Sequence, residues 1–263
     1  IGIHSGNAEW SNNKYMGYIT LARTARVMSS GYGEQILISG STYELCRDKF
    51  DAVKEKNIVF RDLGERRLKD VIQPIRLFQI VSEGLREEFP SLKTLDARPN
   101  NLPVQLTSFI GREKDISAIK EILKSTRLLT LTGLGGTGKT RLSLQLAAEL
   151  IDEFNNGVWL AEFASLSDPM LVAVTIAGAL GAAGQPGEET IDTLLNFLKK
   201  KELLIIMDNC EHLIDACADI AEKLLKNPPG LKIIATSREG LRSYGESIYR
   251  VSSLDHPDPE SAN

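Results

Sequence analysis

The chain has 263 residues, room for about two domains, and its 42% hydrophobic and 25% charged residues are an ordinary balance for a globular protein. A net charge of −4 excludes a global electrostatic pull toward nucleic acid or an anionic membrane. No apolar run nears the ~18 residues of a membrane span, and Ile1 opens no basic-then-apolar secretory leader.

In chain order, "IGIHSG" predicts a strand end running into a turn, with His4 as a turn residue. "YITLARTARVMSS" has helical spacing, with Ile19, Ala22, Arg26 and Val27 near one face. "QILIS" predicts a short strand, and Ser41 or Thr42 a helix cap for a helix through Arg47. "NIVFRDLG" and "PIRLFQIV" alternate as strands, the second setting Ile75 and Leu77 opposite Arg76 and Phe78. Residues 1–81 therefore read as a small α+β unit, or the back part of a larger one. Residues 82–104 hold three prolines and an Asn-Asn pair with little periodicity, and read as a linker.

Beyond it, strands and helices alternate. Strands are expected at Leu128–Thr132, Val158–Phe163, Leu203–Met207 and Lys232–Thr236. A helix over Lys139–Phe154 carries Leu142, Leu146, Ala147, Leu150, Ile151 and Phe154 on one stripe. Asp168 and Pro169 start another helix, to Leu180. A third ends near Lys200, and a fourth runs over Ile214–Lys226 before "NPPG". Apolar strands between helices imply an α/β fold with a parallel sheet covered on both faces. Three cysteines, Cys46, Cys210 and Cys217, lack CxxC spacing. They favour neither a disulfide framework nor a zinc site, and place the chain in a reducing cytoplasm. Cys210 and Cys217 read as buried thiols. The start at Ile1 and the closing "HPDPESAN" read as cut ends of a longer protein.

The most informative stretch is "LLTLTGLGGTGKTRL". It fits G-x-x-x-x-G-K-[ST] at Gly133, Gly138, Lys139 and Thr140, with Gly135, Gly136 and Thr137 inside and Arg141 next to it. Small residues let successive N–H groups turn inward as an anion nest. The following helix adds its positive end. Lys139 suits the β- and γ-phosphates of ATP or ADP, and the Thr140 hydroxyl suits Mg²⁺. In "LLIIMDN", Asp208 ends an apolar strand and is the second candidate for holding Mg²⁺. In "KIIATSR", Arg238 stands on the same edge, within reach of a γ-phosphate.

Together "FIGRE", "GLGGTGKT", "LLIIMDNCEHL" and "IIATSREGLR" resemble the NB-ARC-type nucleotide domains of signal-transduction ATPases with numerous domains. The resemblance covers about residues 105–255, within a domain set at 105–263. It implies a P-loop sheet whose Walker-A and Walker-B strands flank the sensor strand. It implies that the backbone around Phe109, Ile110, Gly111 and Arg112 lies against adenine, and that Arg238 senses the nucleotide. It further implies an ADP-locked inactive form and an ATP form that self-associates. Many members carry a second acidic residue where this chain has Asn209, an amide that takes no proton from water. Glu211 or a neighbour is left for that catalytic role, and slow hydrolysis is expected. The winged-helix part that closes over the nucleotide in the family lies beyond the chain. Family precedent places a DNA-binding or repeat region elsewhere, with no nucleic-acid or membrane contact by this stretch.

"IGIHSG", "GEQILIS" and "LGERRLKDVIQPIRLFQI" resemble, in that order, the C-terminal part of class III nucleotidyl cyclase domains. Active members pair an Asn and an Arg one helical turn apart. "ITLARTARV" keeps Arg26 but sets Ala22 at the Asn position, and a methyl group donates no hydrogen bond. A cyclase-homology domain without its own chemistry is the expectation. The alternative is a working cyclase, which needs two metal-binding aspartates ahead of Ile1. A motor or transporter ATPase ranks last, since neither "LSLQL" nor "LISGS" matches LSGGQ.

Overall fold

A computed structural model describes residues 1–7, 10–11, 14–15, 18–52, 58–69, 71, 73–103, 109, 111–184, 187–226 and 228–253. It divides into two compact units, one built on residues 1–97, the other on 98–103 and 109 onward.

The first unit runs β1 (Gly2–Ile3), β2 (Trp10–Ser11), β3 (Lys14–Tyr15), α1 (Tyr18–Ser29), β4 (Leu37–Ser39), α2 (Gly40–Ala52), β5 (Val59–Arg66) and β6 (Ile75–Val81). Its main sheet has the order β1-β4-β6-β5, with β1 parallel to β4 and the other pairs antiparallel. Val27, Leu37, Leu68, Leu77 and Leu92 form the core. The helix expected from "YITLARTARVMSS" is α1; of the residues near that face Val27 is buried, whereas Ile19 is 69% exposed and Ala22 is also exposed. The strands beneath α1 are two and three residues long and cover only its end. Phe78 lies opposite Leu77 as alternation requires, yet it too is buried, stacked on Tyr43 at 4.1 Å. The start of α2 is corrected. Ser39 accepts the Thr42 N–H at 3.4 Å, so Ser39 caps the helix and Ser41 and Thr42 lie in its first turn. α2 continues past Arg47 to Ala52.

Residues 82–104 were expected as a linker, and those described are packed coil. Leu92 enters the first core, Lys93 donates its N–H to Ser30 O at 2.8 Å, and Asp96 pairs with Arg67 at 2.7 Å. Residues 98–103 belong to the second unit. There the Asn101 amide imitates a strand: its Nδ2 donates to Leu160 O at 2.8 Å, and its Oδ1 accepts the Leu160 N–H at 2.6 Å.

The second unit runs α3 (Glu113–Ser125), β7 (Leu128–Thr132), α4 (Lys139–Leu150), β8 (Val158–Glu162), α5 (Leu171–Leu180), α6 (Thr190–Leu198), β9 (Leu203–Asp208), α7 (Ile214–Leu225), β10 (Leu231–Ser237) and β11 (Glu246–Arg250). The sheet order is β11-β7-β10-β9-β8, and every pair is parallel. This is the P-loop NTPase fold, with β10 between β7 and β9. Alternate residues of β9 explain its continuous apolar run. Leu203, Ile205 and Met207 join the core formed with α5, α6 and α7, and α4 packs on the sheet through Leu142 and Leu146. The helix expected to reach Phe154 is α-helical only to Leu150, and its last turn tightens to a 3₁₀ form over Ile151–Glu153. Asp168 accepts the Met170 N–H at 2.9 Å, one turn ahead of α5. Cys210 and Cys217 are buried in the core, and Cys46 is half-buried. Among the described residues no helix is long and apolar enough to cross a membrane.

Asn101 protects the open edge of β8, which would otherwise leave backbone groups unpaired. The variant Asn101→Ala should lower the stability of this unit by about 1–3 kcal/mol. Urea unfolding followed through Trp159, which lies on β8, measures it.

Candidate functional site

Parallel strands put their C-terminal ends on one edge, and β7, β9 and β10 deliver Gly133, Asp208 and Ser237 there. The loop after β7 must turn sharply. Gly133 has φ 155°, and a Cβ on it would stand 2.7 Å from Val251 O. Gly138 has φ 83° and precedes α4 without any side-chain cap. The first N–H groups of α4 therefore keep their capacity to bind an anion.

Lys139 is buried and folds back over the loop. Its Nζ donates to Gly133 O at 2.9 Å and Leu134 O at 3.0 Å. An ammonium has three donors, so one remains for a phosphate oxygen. The Thr137 hydroxyl donates to Leu134 O at 3.0 Å and closes the turn. Gly135 and Gly136 are exposed on its outer surface.

Asp208 is only 6% exposed, and its Oδ1 accepts two hydroxyls, Thr140 at 2.8 Å and Thr236 at 2.6 Å. A hydroxyl that donates its proton keeps lone pairs for a cation. The Thr140 and Asp208 oxygens are hard donors suited to Mg²⁺. Among the described residues no group of three His, Cys, Asp or Glu side chains could hold a metal. A Mg²⁺ here would complete its shell with phosphate oxygens and water. The residues present fit that ion and a nucleotide phosphate.

Residues 122–244 match the family model of an AAA domain. Among curated proteins, uncharacterized proteins of Mycobacterium bovis and Mycobacterium tuberculosis are 42% identical over 149 residues, 57% of this chain and 38% of theirs. A Mycobacterium tuberculosis protein named as a candidate HTH-type transcriptional regulator is 41% identical over 140 residues, 53% of this chain and 16% of its own. The chain thus spans 38% of the length of the first of these relatives. Among solved structures, a STAND protein with a tetratricopeptide repeat sensor from Pyrococcus horikoshii overlays 56% of this chain and 24% of its own, at 19% identity and TM-score 0.39. The Aeropyrum pernix ORC2 protein overlays 51% and 42%, at 18% identity and TM-score 0.39. Trypanosoma brucei adenylate cyclase overlays 35% and 39%, at 25% identity and TM-score 0.28.

The AAA-like region also holds residues that spacing did not reveal. Thr236 sits between the phosphate-loop and Asp208 strands. Its hydroxyl donates to Asp208 and accepts the Asn209 N–H at 2.9 Å. Asn209 has φ 64°, a left-handed conformation that Asn adopts more readily than most residues. Sequence analysis singled out Asn209; for Thr236 the one signal was a polar residue near the end of the apolar run "KIIATSR".

The remaining candidates sit differently. Arg238 is 68% exposed, and its Nε donates to Glu211 Oε1 at 2.9 Å, so these two proposed catalytic groups are paired with each other. Phe109 is half-buried with the Arg141 guanidinium 6.0 Å from its ring centroid. Gly111 has φ 84° and donates its N–H to Glu113 at 3.3 Å. Ile110 lies outside the described residues. Arg112 is buried, against the phosphate loop. In the first unit, Arg26 is half-buried on α1. His4 is more than a turn residue: its Nδ1 lies 2.9 Å from Ser39 Oγ, and burial, then the charge of Arg23, holds its pKa below the usual value.

One titration tests this network. Tyr249 on β11 donates its hydroxyl to Asp115 at 2.6 Å. Burial first, then that hydrogen bond and the Asp115 charge, push its pKa up to about 12 from 10.0. A raised folded pKa stabilises fully below the unfolded value and is lost as pH rises through the folded one. Wild type should therefore lose stability relative to Tyr249→Phe between pH 10 and 12. Paired denaturant titrations across that window measure the difference.

Proposed function

We propose that the second unit is an ATP/ADP-dependent switch with slow hydrolysis, part of a larger bacterial regulator. The observation that carries it is the convergence of Lys139, Thr140 and Asp208 on one sheet edge, with the Thr140 hydroxyl 2.8 Å from Asp208. Lys139 and the N–H groups after Gly138 would bind the β- and γ-phosphates, and Thr140 and Asp208 would hold Mg²⁺. The chemistry a bound Mg²⁺ supplies is neutralisation of charge across those phosphate oxygens.

Slow turnover follows from what surrounds them. Asn209 offers a side-chain amide where a base would stand, while its backbone N–H is donated to the Thr236 hydroxyl. Glu211 is committed to Arg238. Neither arrangement orients a water for attack as a free carboxylate would. The AAA-domain match supports an ATPase, and the relative named for HTH-type regulation supports a place in a regulator. The nucleotide then sets which conformation is populated, with ADP holding a closed form and ATP favouring self-association. The first unit is proposed as a cyclase-homology domain with a sensory or structural role, because Ala22 carries no donor one turn before Arg26.

Removal of the ammonium tests the site. Lys139→Ala should weaken ADP and ATP binding by about 10- to 100-fold, the worth of a lost charge-assisted hydrogen bond. Calorimetric titration with Mg²⁺ present reads the change. Wild-type affinity in that variant would remove the phosphate assignment.

A further inference from the structure

A side chain outside the phosphate loop reaches into its second half. Arg112, just before α3, is 6% exposed. Its Nη2 donates to Thr137 O and to Ser252 O, each at 2.8 Å. Its Nη1 donates to Asp115 Oδ2 at 3.0 Å. The guanidinium is therefore held at three points. Asp115 neutralises its charge, and the Tyr249 hydroxyl fixes Asp115 in turn.

The bond to Thr137 has a geometric consequence. A trans peptide is planar, with its C=O and N–H pointing in opposite directions. The peptide that carries the Thr137 carbonyl also carries the Gly138 N–H. Drawing that carbonyl toward Arg112 turns the Gly138 N–H to the opposite side of the peptide. Lys139 acts similarly on the first half of the loop, through the Gly133 and Leu134 carbonyls. Without the outer tie, a segment with glycine at 135, 136 and 138 has many more conformations to lose on binding.

We propose that Arg112 is a positioning residue for the phosphate loop, holding the Thr137 peptide so that the Gly138 N–H faces the phosphates. This rests on the nucleotide reading above. It gives the Arg112 side chain a task at the phosphate end of the ligand, distinct from the adenine contact implied for its backbone. A lysine has the charge but not the planar fork that spans two carbonyls and a carboxylate.

The test uses the 263-residue chain and two probes, Mg²⁺–ADP and inorganic pyrophosphate. Arg112→Ala should bind both about tenfold more weakly or worse. Added methylguanidinium should restore much of that affinity, which a purely structural defect would not allow. Arg112→Lys, folded by circular dichroism, should remain impaired for both probes and carries the test if the alanine variant does not fold. Lys139→Ala is the control for the site itself. Loss in Lys139→Ala with unchanged ADP affinity in both Arg112 variants overturns the proposal and leaves the nucleotide site standing. Loss of ADP with retained pyrophosphate in the Arg112 variants also overturns it, since the residue would then act on the nucleoside end. Unchanged affinity in Lys139→Ala overturns the nucleotide reading and this proposal together.

Discussion

Three carbonyls of the loop between β7 and α4 are given to cations: those of Gly133 and Leu134 to Lys139, and that of Thr137 to Arg112. A peptide that turns its carbonyl one way must turn its N–H the other. The loop's own hydrogen bonds thus set the direction of its donors before any ligand arrives. The rest of the unit serves this constraint. The parallel sheet brings β7 and β9 to one edge, and β10 between them sets the distance that Thr140 and Asp208 bridge. Val251 O, close to Gly133, leaves no room for a side chain where the loop begins.

Around that loop the polar groups bear on the proposed slow hydrolysis. Asp208 takes two hydroxyl donors on one oxygen, and Thr236 ties it to the backbone of Asn209. This fixes a carboxylate beside a hydroxyl without placing a general base. Arg238 and Glu211, each a candidate for transition-state chemistry by position, satisfy one another. The carboxylate side of that pair is the more buried one, 19% exposed against 68% for the arginine.

Much of this was legible in the sequence, for a physical reason. β7, β9 and β10 are apolar through most of their length because both faces of the sheet are covered, and such runs stand out. Gly138, Lys139 and Thr140 are neighbours in the chain, so their geometry is local and their spacing is diagnostic. Contacts between distant residues were hidden. Arg112 meets a carbonyl 140 positions away, and Thr236 meets an aspartate 28 positions away. In the stretch expected as a linker, 82–104, Leu92 and Asn101 are single anchors in a Pro- and Asn-rich run, so no periodicity marks them. β11 was missed because "ESIYR" on a sheet edge is only partly buried and lacks an apolar run. The helix α1 was legible by its spacing, but not which part of that face is covered: among its described residues Val27 is buried and Ile19 and Ala22 are exposed.

The central claim is that a preorganised loop holds an adenine nucleotide and releases it slowly. The direct measurement is the nucleotide content of the purified chain, denatured after incubation with Mg²⁺–ATP and desalting, and resolved by chromatography. The expected result is about one adenine nucleotide per chain, because its Kd lies far below the free concentration during loading and its release is slower than desalting. A chain that retains no nucleotide after that treatment would contradict the claim.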